Sequence, residues 1–217
     1  MAHWTSQFTK AHQSVPSALK VVDNLLGFVK DGAGKPSVKE RALFAASVVF
    51  TYGIWENYVE QLAIELAETV ATGISPDRVP EQVRRQLDKK SAWDLAVSPG
   101  WRALWVTSVR EKAIGDEDEK FGLNTARVGQ VKNLLSMAGV ADAFRLVPSD
   151  VIPEHFKDGS FEDAVNELVT LRGEIVHTGK VPDTLRKSHV RAWRKFVESA
   201  INAVDESCRA QCKELGV

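Results

Sequence analysis

Residues 37–73 read SVKERALFAASVVFTYGIWENYVEQLAIELAETVATG, a stretch without proline in which apolar side chains recur every three or four positions. Ser37 followed by Glu40 forms the pattern of a capping box, which marks the start of a helix. Gly73 stands where helices commonly end. The stretch predicts one helix of about 34 residues, about 50 Å long at 1.5 Å per residue, which would form the spine of a bundle.

The sequence before this stretch also predicts a helix. Apolar residues repeat at helical spacing from about residue 5 until the Gly32-Ala33-Gly34 segment, where three small residues predict a break. Pro16 removes a backbone donor, so we expect it to kink or restart this helix.

Two further long helices are predicted near the end of the chain. Ser160 and Asp163 form a second capping box, and Gly179 is placed to end the helix that begins there. A final amphipathic helix follows, and strand-like alternation is nearly absent. We therefore predict an all-α fold, an up-down helical bundle built from residues 5–73 and 160–217.

The middle of the chain, residues 74–150, carries shorter and denser helix signals. The acidic stretch 115–120 predicts a loop, and Asn124 is placed to cap a helix that Gly139 ends. We interpret this region as a helical insertion that decorates the bundle within a single domain, residues 1–217. It is also a possible contact surface for a protein partner.

Composition narrows the possible functions. The 217 residues include 28 basic and 29 acidic side chains, which gives a formal net charge of -1. An anionic partner would therefore have to bind a local cluster of cations. The longest apolar run, residues 43–50, is too short to span a membrane, and the first residues lack a secretory signal pattern. We expect a cytoplasmic protein without a membrane partner.

The sequence lacks the common cofactor and metal motifs. It contains no phosphate-binding GxxxxGK[ST] loop, no GxGxxG after a strand, no HExxH and no paired Cys/His ligand spacing. The two cysteines, Cys208 and Cys212, are interpreted as small apolar residues on one buried helix face. We therefore predict no metal and no cofactor.

One candidate for chemistry is the segment LRGEIVHTG at 171–179. Arg172 and His177 are about 7.5 Å apart along a helix axis and about 140° apart around it, so the arginine must reach back toward the imidazole. A fixed cation beside a group that titrates near neutrality suits phosphodiester chemistry. The helix end and Glu174 would favour the protonated imidazole. By spacing alone, a histidine that caps the helix and a solvated arginine fit as well.

This segment resembles the Arg-x4-His motif of HEPN-superfamily proteins. The WENYVE sequence at 55–60 is similar to the matching helix of the RiboL-PSP and related prokaryotic HEPN families. An insertion with FGL at 121–123 and MAGV at 137–140 also fits these families.

The resemblance implies a helical bundle that forms a homodimer in which two such motifs face each other across one cleft. Many of these proteins are metal-independent endoribonucleases of toxin-antitoxin, phage-defence or RNA-processing systems. His177 would then act as general acid or base on the RNA 2′-hydroxyl, and Arg172 would stabilise the phosphorane. The products would be a cyclic phosphate and a 5′-hydroxyl.

Gly173 departs from the family pattern. The families usually carry Asn, Asp or His directly after the arginine, and a side chain there would lie on the same helix face as His177. Glu174 is a candidate substitute for this missing group. The alternative function is a catalytically inactive HEPN-like protein that binds RNA or regulates a partner, as a scaffold or antitoxin does.

Two further features bear on an RNA site. Residues 185–196, LRKSHVRAWRKF, carry five cations and no acid: Arg186, Lys187, Arg191, Arg194 and Lys195. We call these five the basic strip; they can track RNA phosphates or form a solvated helix face. Glu56 lies at the middle of the long predicted helix, where it either positions Arg172 or remains solvated.

Overall fold

The structure is a computed structural model that describes residues 8–31, 34–79, 81–86, 91–97, 100–115, 122–156 and 159–217. Within these ranges every regular element is helical and no strand occurs. The helices are α1 (Lys10–Gln13), α2 (Val15–Gly27), α3 (Val38–Gly73), α4 (Glu81–Gln86), α5 (Ala92–Val97), α6 (Trp101–Ile114), α7 (Val128–Met137), α8 (Phe161–Thr178) and α9 (Lys187–Leu215), with a 3-10 turn at Pro76–Arg78. The prediction of an all-α bundle is confirmed.

The chain restarts its first helix at the predicted proline. Thr9 caps α1 by accepting a hydrogen bond from the His12 N–H, and Pro16 occupies the first turn of α2. A proline is tolerated there because the N–H groups of a first turn have no partner within the helix. Residues 5–7, where the predicted helix begins, lie outside the described residues.

Helix α3 is the central element of the fold. The Ser37–Glu40 capping box forms as predicted, and the helix continues for 36 residues. It packs against α1, α2, α6, α7, α8 and α9. This position explains its all-round apolar sequence, because a helix with neighbours on most sides has little solvated face.

The segment between α3 and α8 is part of the core. In α6, Trp105 is fully buried and its indole N–H donates to the Met137 carbonyl at 2.7 Å. Asn124 does not cap α7 as predicted, because that helix begins only at Val128, after Arg127. Asn166 of α8 supplies the cap instead, since its side-chain oxygen accepts from the Val128 N–H at 3.2 Å.

Helix α9 carries a buried apolar stripe that includes Cys208 and Cys212, as predicted for these two residues. A buried carboxylate interrupts the stripe. Asp205 accepts hydrogen bonds from the Thr9 hydroxyl, from Tyr58 Oη at 3.5 Å and from Arg209 Nε at 3.0 Å. It thereby joins α9 to α3 and to the start of α1.

Among the helices of the described ranges, none combines the length and the apolar character needed to cross a bilayer.

Candidate functional site

Helix α8 presents the Arg-x4-His segment at its C-terminal end. The predicted capping box of Ser160 and Asp163 starts the helix, with the Ser160 N–H donating to the Asp163 carboxylate at 3.0 Å. Gly179 ends it in the left-handed conformation at φ 66°, which glycine adopts without steric cost. His177 consequently occupies the last turn, and its side chain is exposed.

Gly173 and His177 share one face of α8, as their spacing predicts. A Cβ atom added to Gly173 would lie 4.0 Å from His177 Cδ2, an ordinary van der Waals distance, with no closer atom from another part of the chain. The backbone therefore leaves room for a side chain beside the imidazole. The sequence supplies none.

Arg172 is distinguished from the other arginines by its lack of polar partners. All thirteen arginines lie in the described ranges, and Arg172 is the one among them for which those ranges offer no hydrogen bond or ion pair. Its guanidinium carbon lies 5.0 Å from the centre of the Tyr52 ring, a cation–π contact. The side chain is half-buried, and Nε is buried without a hydrogen-bond partner.

Tyr52 connects Arg172 to Glu56. Its hydroxyl donates to Glu56 Oε1 at 2.5 Å and accepts from the Ala126 N–H at 3.0 Å. Burial, followed by the hydrogen bond to Glu56, raises the pKa of Tyr52, so the phenol stays neutral and can donate. Glu56 is therefore connected to Arg172 through the Tyr52 side chain, which contacts both residues. We did not single out Tyr52 from the sequence, although its position one turn before Glu56 puts it on the same helix face.

A second carboxyl group lies one turn further along α3. Glu60 is half-buried, and burial together with repulsion from Glu56 raises its pKa to about 7. Two acids at this spacing on a mostly apolar helix were visible in the sequence. Their effect on each other depends on burial, which the sequence does not give.

The loop after His177 is held against the start of α3. Arg41 donates to the Val181 carbonyl at 2.5 Å and forms an ion pair with Asp183 at 2.7 Å. These contacts hold the loop that follows α8 against the start of α3.

Glu174, the predicted support for His177, is exposed. Its backbone carbonyl accepts from the Thr178 hydroxyl at 2.6 Å, while no salt bridge to His177 forms within the described ranges. Glu174 and His177 thus share the last turns of α8 without forming an ion pair.

Two cations of the basic strip form ion pairs with acids of α2 and of the segment that follows it. Lys187 pairs with Asp31 at 2.8 Å, and Arg194 with Asp23 at 3.0 Å. These ion pairs attach α9 to the first part of the chain, which sequence spacing could not reveal.

The remaining members of the strip differ in their contacts. Arg186 donates to the Asp183 and Leu185 carbonyls, and Arg191 lies 3.5 Å from Asp31. Lys195 is exposed, and nothing in the described ranges pairs with it. Trp193 is buried, so it packs in the core.

Other polar groups of the described ranges do not form a metal site. His155 and His189 stack with their ring centres 4.7 Å apart, and burial followed by the nearby His189 lowers the pKa of His155. Groups of three or more His, Cys, Asp or Glu side chains able to hold a metal ion are absent from those ranges.

Comparisons of the chain with protein-family models, with curated proteins and with solved structures give no match. The assignment to the HEPN superfamily therefore stays a prediction that rests on the sequence motif.

Proposed function

We propose that this chain is a metal-independent endoribonuclease of the HEPN type. The observation that carries the proposal is Arg172, a half-buried arginine without a polar partner in the described ranges, on the helix that presents His177 to solvent. Buried polar groups are nearly always paired, and a binding or catalytic function is one explanation for an exception. A phosphate is the natural partner for such a guanidinium.

The two side chains would divide the chemistry between them. His177, as general base, would take the proton of the RNA 2′-hydroxyl while that oxygen attacks the adjacent phosphorus. Arg172 would stabilise the negative charge that develops on the phosphorane oxygens. The bond to the 5′-oxygen then breaks, which leaves a 2′,3′-cyclic phosphate and a 5′-hydroxyl, and the leaving oxygen takes a proton from an imidazolium.

Tyr52 and Glu56 would act as positioning residues for Arg172. The Tyr52 ring supports the guanidinium, and Glu56 and the Ala126 N–H hold the phenol in place from two sides. A rigid support of this kind keeps the cation where the phosphate must bind, at little entropic cost.

A non-catalytic function is the second candidate, and Gly173 is the observation that favours it. The space beside the His177 imidazole is empty where the HEPN families that the motif resembles carry a polar group. In that case the chain would bind RNA or regulate a partner without cleaving.

The test is incubation of labelled RNA with the wild-type protein and with His177→Ala and Arg172→Lys, in excess EDTA. We expect cleavage to cyclic phosphate ends, reduced about 100-fold or more in His177→Ala. Arg172→Lys should also lose activity, because lysine keeps the charge but not the two-point contact. Glu206→Gln, an exposed change on α9, is the control.

The outcomes separate the two candidates. Cleavage that His177→Ala leaves unchanged would contradict the proposed chemistry. RNA that is bound but left intact by the wild type would favour the non-catalytic candidate.

A further inference from the structure

A cavity of about 640 Å³ lies between the residues that follow α2 and the first turns of α9. Five cationic side chains line it: Lys30, Lys35, Arg186, Lys187 and Arg191. Two acids, Asp31 and Glu40, line it as well. The walls therefore carry three positive charges in excess, although the whole chain has a formal net charge of -1.

Glu40 is held in the capping box of α3, and its carboxylate offsets one of these positive charges. One of its carboxylate oxygens accepts from the Ser37 N–H and from the Ser37 hydroxyl, both at 2.8 Å. The Ser37 hydrogen bonds, with smaller contributions from Lys30, lower the pKa of Glu40, so this acid stays ionised and is already counted in the excess of three. Lys30 and Lys35 form no salt bridge within the described ranges.

Asp31 shows what kind of group the cavity accepts. One carboxylate oxygen lies 2.8 Å from Lys187 Nζ and 3.5 Å from Arg191 Nη2, while the side chain remains three-quarters exposed. Lys187 is held in place, since it is only 13% exposed and also donates to the Val29 carbonyl at 2.5 Å. Two cations are therefore already arranged around one oxyanion.

The shape of the site fits a ligand larger than a single ion. Cavities of 300 to 1,000 Å³ are typical of small-molecule sites, and this one also has an apolar wall from Phe44 and Val29. Arg191 and Ser188 also line a second cavity of about 520 Å³ along α9, whose two cations, Arg191 and Lys195, are balanced by Asp150 and Glu154. The excess of positive charge is therefore confined to the first cavity.

We propose that this cavity binds a phosphoryl anion, with Lys187 and Arg191 as its principal contacts and with Lys30, Lys35 and Arg186 supplying further charge. The anion competes with the Asp31 carboxylate for the same two cations. This site is separate from the Arg172 and His177 pair and does not depend on the nuclease proposal.

The test uses pyrophosphate as the probe, titrated into the full chain by calorimetry at low salt. Arg191→Ala should weaken binding about tenfold, the loss typical of one charge-assisted contact, and Lys35→Ala should weaken it less. Lys213→Ala is the matched control, because Lys213 is exposed at the opposite end of α9. Arg191 is largely exposed, so its replacement should leave folding intact, as circular dichroism can check.

Asp31→Asn provides the opposite test. Removal of the competing carboxylate should tighten pyrophosphate binding several-fold, while Glu206→Gln, the same change of charge on the distant part of α9, should leave it unaltered. If the cations formed only a diffuse positive patch, Asp31→Asn and Glu206→Gln would change pyrophosphate binding equally. The proposal is overturned if the wild type does not bind pyrophosphate, or if Arg191→Ala and Asp31→Asn bind it as the wild type does.

Two RNA oligonucleotides identify the source of the phosphate. Tighter binding of a 5′-phosphorylated strand than of the same strand with a 5′-hydroxyl would indicate a terminal phosphate, and equal binding would indicate backbone phosphates. His177→Ala is titrated in parallel and should bind pyrophosphate normally. A failed nuclease assay with retained pyrophosphate binding would then reject the nuclease alone.

Discussion

At the scale of single residues, Arg172 is the most unusual feature of the described chain. A buried N–H without a partner costs about 1 to 3 kcal/mol, and the contact with the Tyr52 ring returns about 0.5 to 2 kcal/mol. Arg172 therefore contributes little or nothing to the stability of the unliganded protein. We expect a bound phosphate to provide the missing acceptors.

Gly173 offers a test of both function and stability. Gly173→Asn would place an amide beside the imidazole, in space that the backbone leaves open. If the chain is a nuclease, we expect cleavage to rise about tenfold, because a hydrogen-bonded imidazole is better oriented for proton transfer. Initial cleavage rates at a fixed RNA concentration provide the measurement.

Gly173→Ala is the control that separates side-chain chemistry from helix propensity. Alanine adds only a Cβ atom and should stabilise the fold by about 0.5 to 1 kcal/mol in urea unfolding, because glycine is unfavourable inside a helix. It should leave cleavage unchanged. An equal gain in cleavage for both variants would mean that helix stiffness, and not the amide, is the cause.

The raised pKa of Glu60 predicts that the stability of the protein depends on pH. Its pKa is raised from 4.5 to about 7 by burial and by Glu56, so the folded state holds this proton more tightly than the unfolded state does. The resulting destabilisation is absent below pH 4.5, grows between pH 4.5 and 7, and is complete above that range. Glu60→Gln should therefore stabilise the protein at pH 8 by about 1 kcal/mol, discounted for the half-exposed side chain.

Urea unfolding at pH 4.5, 6 and 8 would measure this difference, with Glu206→Gln as the exposed control. A stabilisation of equal size at all three pH values would contradict the assigned titration.

At the scale of helices, local signals in the sequence located the ends of the long elements. The capping boxes at Ser37 and Ser160 and the glycine at 179 form as predicted, because each depends on a few neighbouring residues. The start of α7 could not be found in this way, since Asn166 caps it from another helix. The pairing of the basic strip is also a tertiary contact, which periodicity does not encode.

Asp205 allows a test of how the first residues are attached to the bundle. Asp205→Ala would remove the acceptor for the Thr9 hydroxyl, for Tyr58 and for Arg209, whose side chain is only 16% exposed. We expect a loss of about 3 to 5 kcal/mol in the free energy of unfolding, because one charge of a buried pair is left without its partner.

Urea unfolding compares this variant with Glu206→Ala, a change at the adjacent exposed position that should stay within about 0.5 kcal/mol of the wild type. Asp205→Asn serves if the alanine variant does not fold, with an intermediate loss expected. Equal stability of the Asp205 and Glu206 variants would rule out a structural role for the buried carboxylate.

At the scale of the whole molecule, one continuous hydrophobic core joins the described helices other than α5, whose Trp93 and Val97 are exposed. An apolar groove of about 360 Å³ remains open between α2 and α3, where Phe50 is 43% exposed. Phe50 and Ile54 lie about 160° to 200° around α3 from Tyr52. A dimer formed through this groove would keep two Arg172 side chains apart, so a shared site requires contact through the exposed end of α8, where Val176 is 48% exposed.

The composite-site hypothesis predicts that two inactive variants restore each other. If each site combines Arg172 of one chain with His177 of the other, a heterodimer of Arg172→Ala and His177→Ala contains one intact site. Random mixing of equal amounts should then recover about a quarter of the wild-type cleavage, because half of the dimers are mixed and each has one of two sites. The control mixes Arg172→Ala with the double variant, which cannot rebuild a site. Light scattering must show dimers in both mixtures, and a lack of recovery in exchanging dimers would place each arginine and histidine in the same chain.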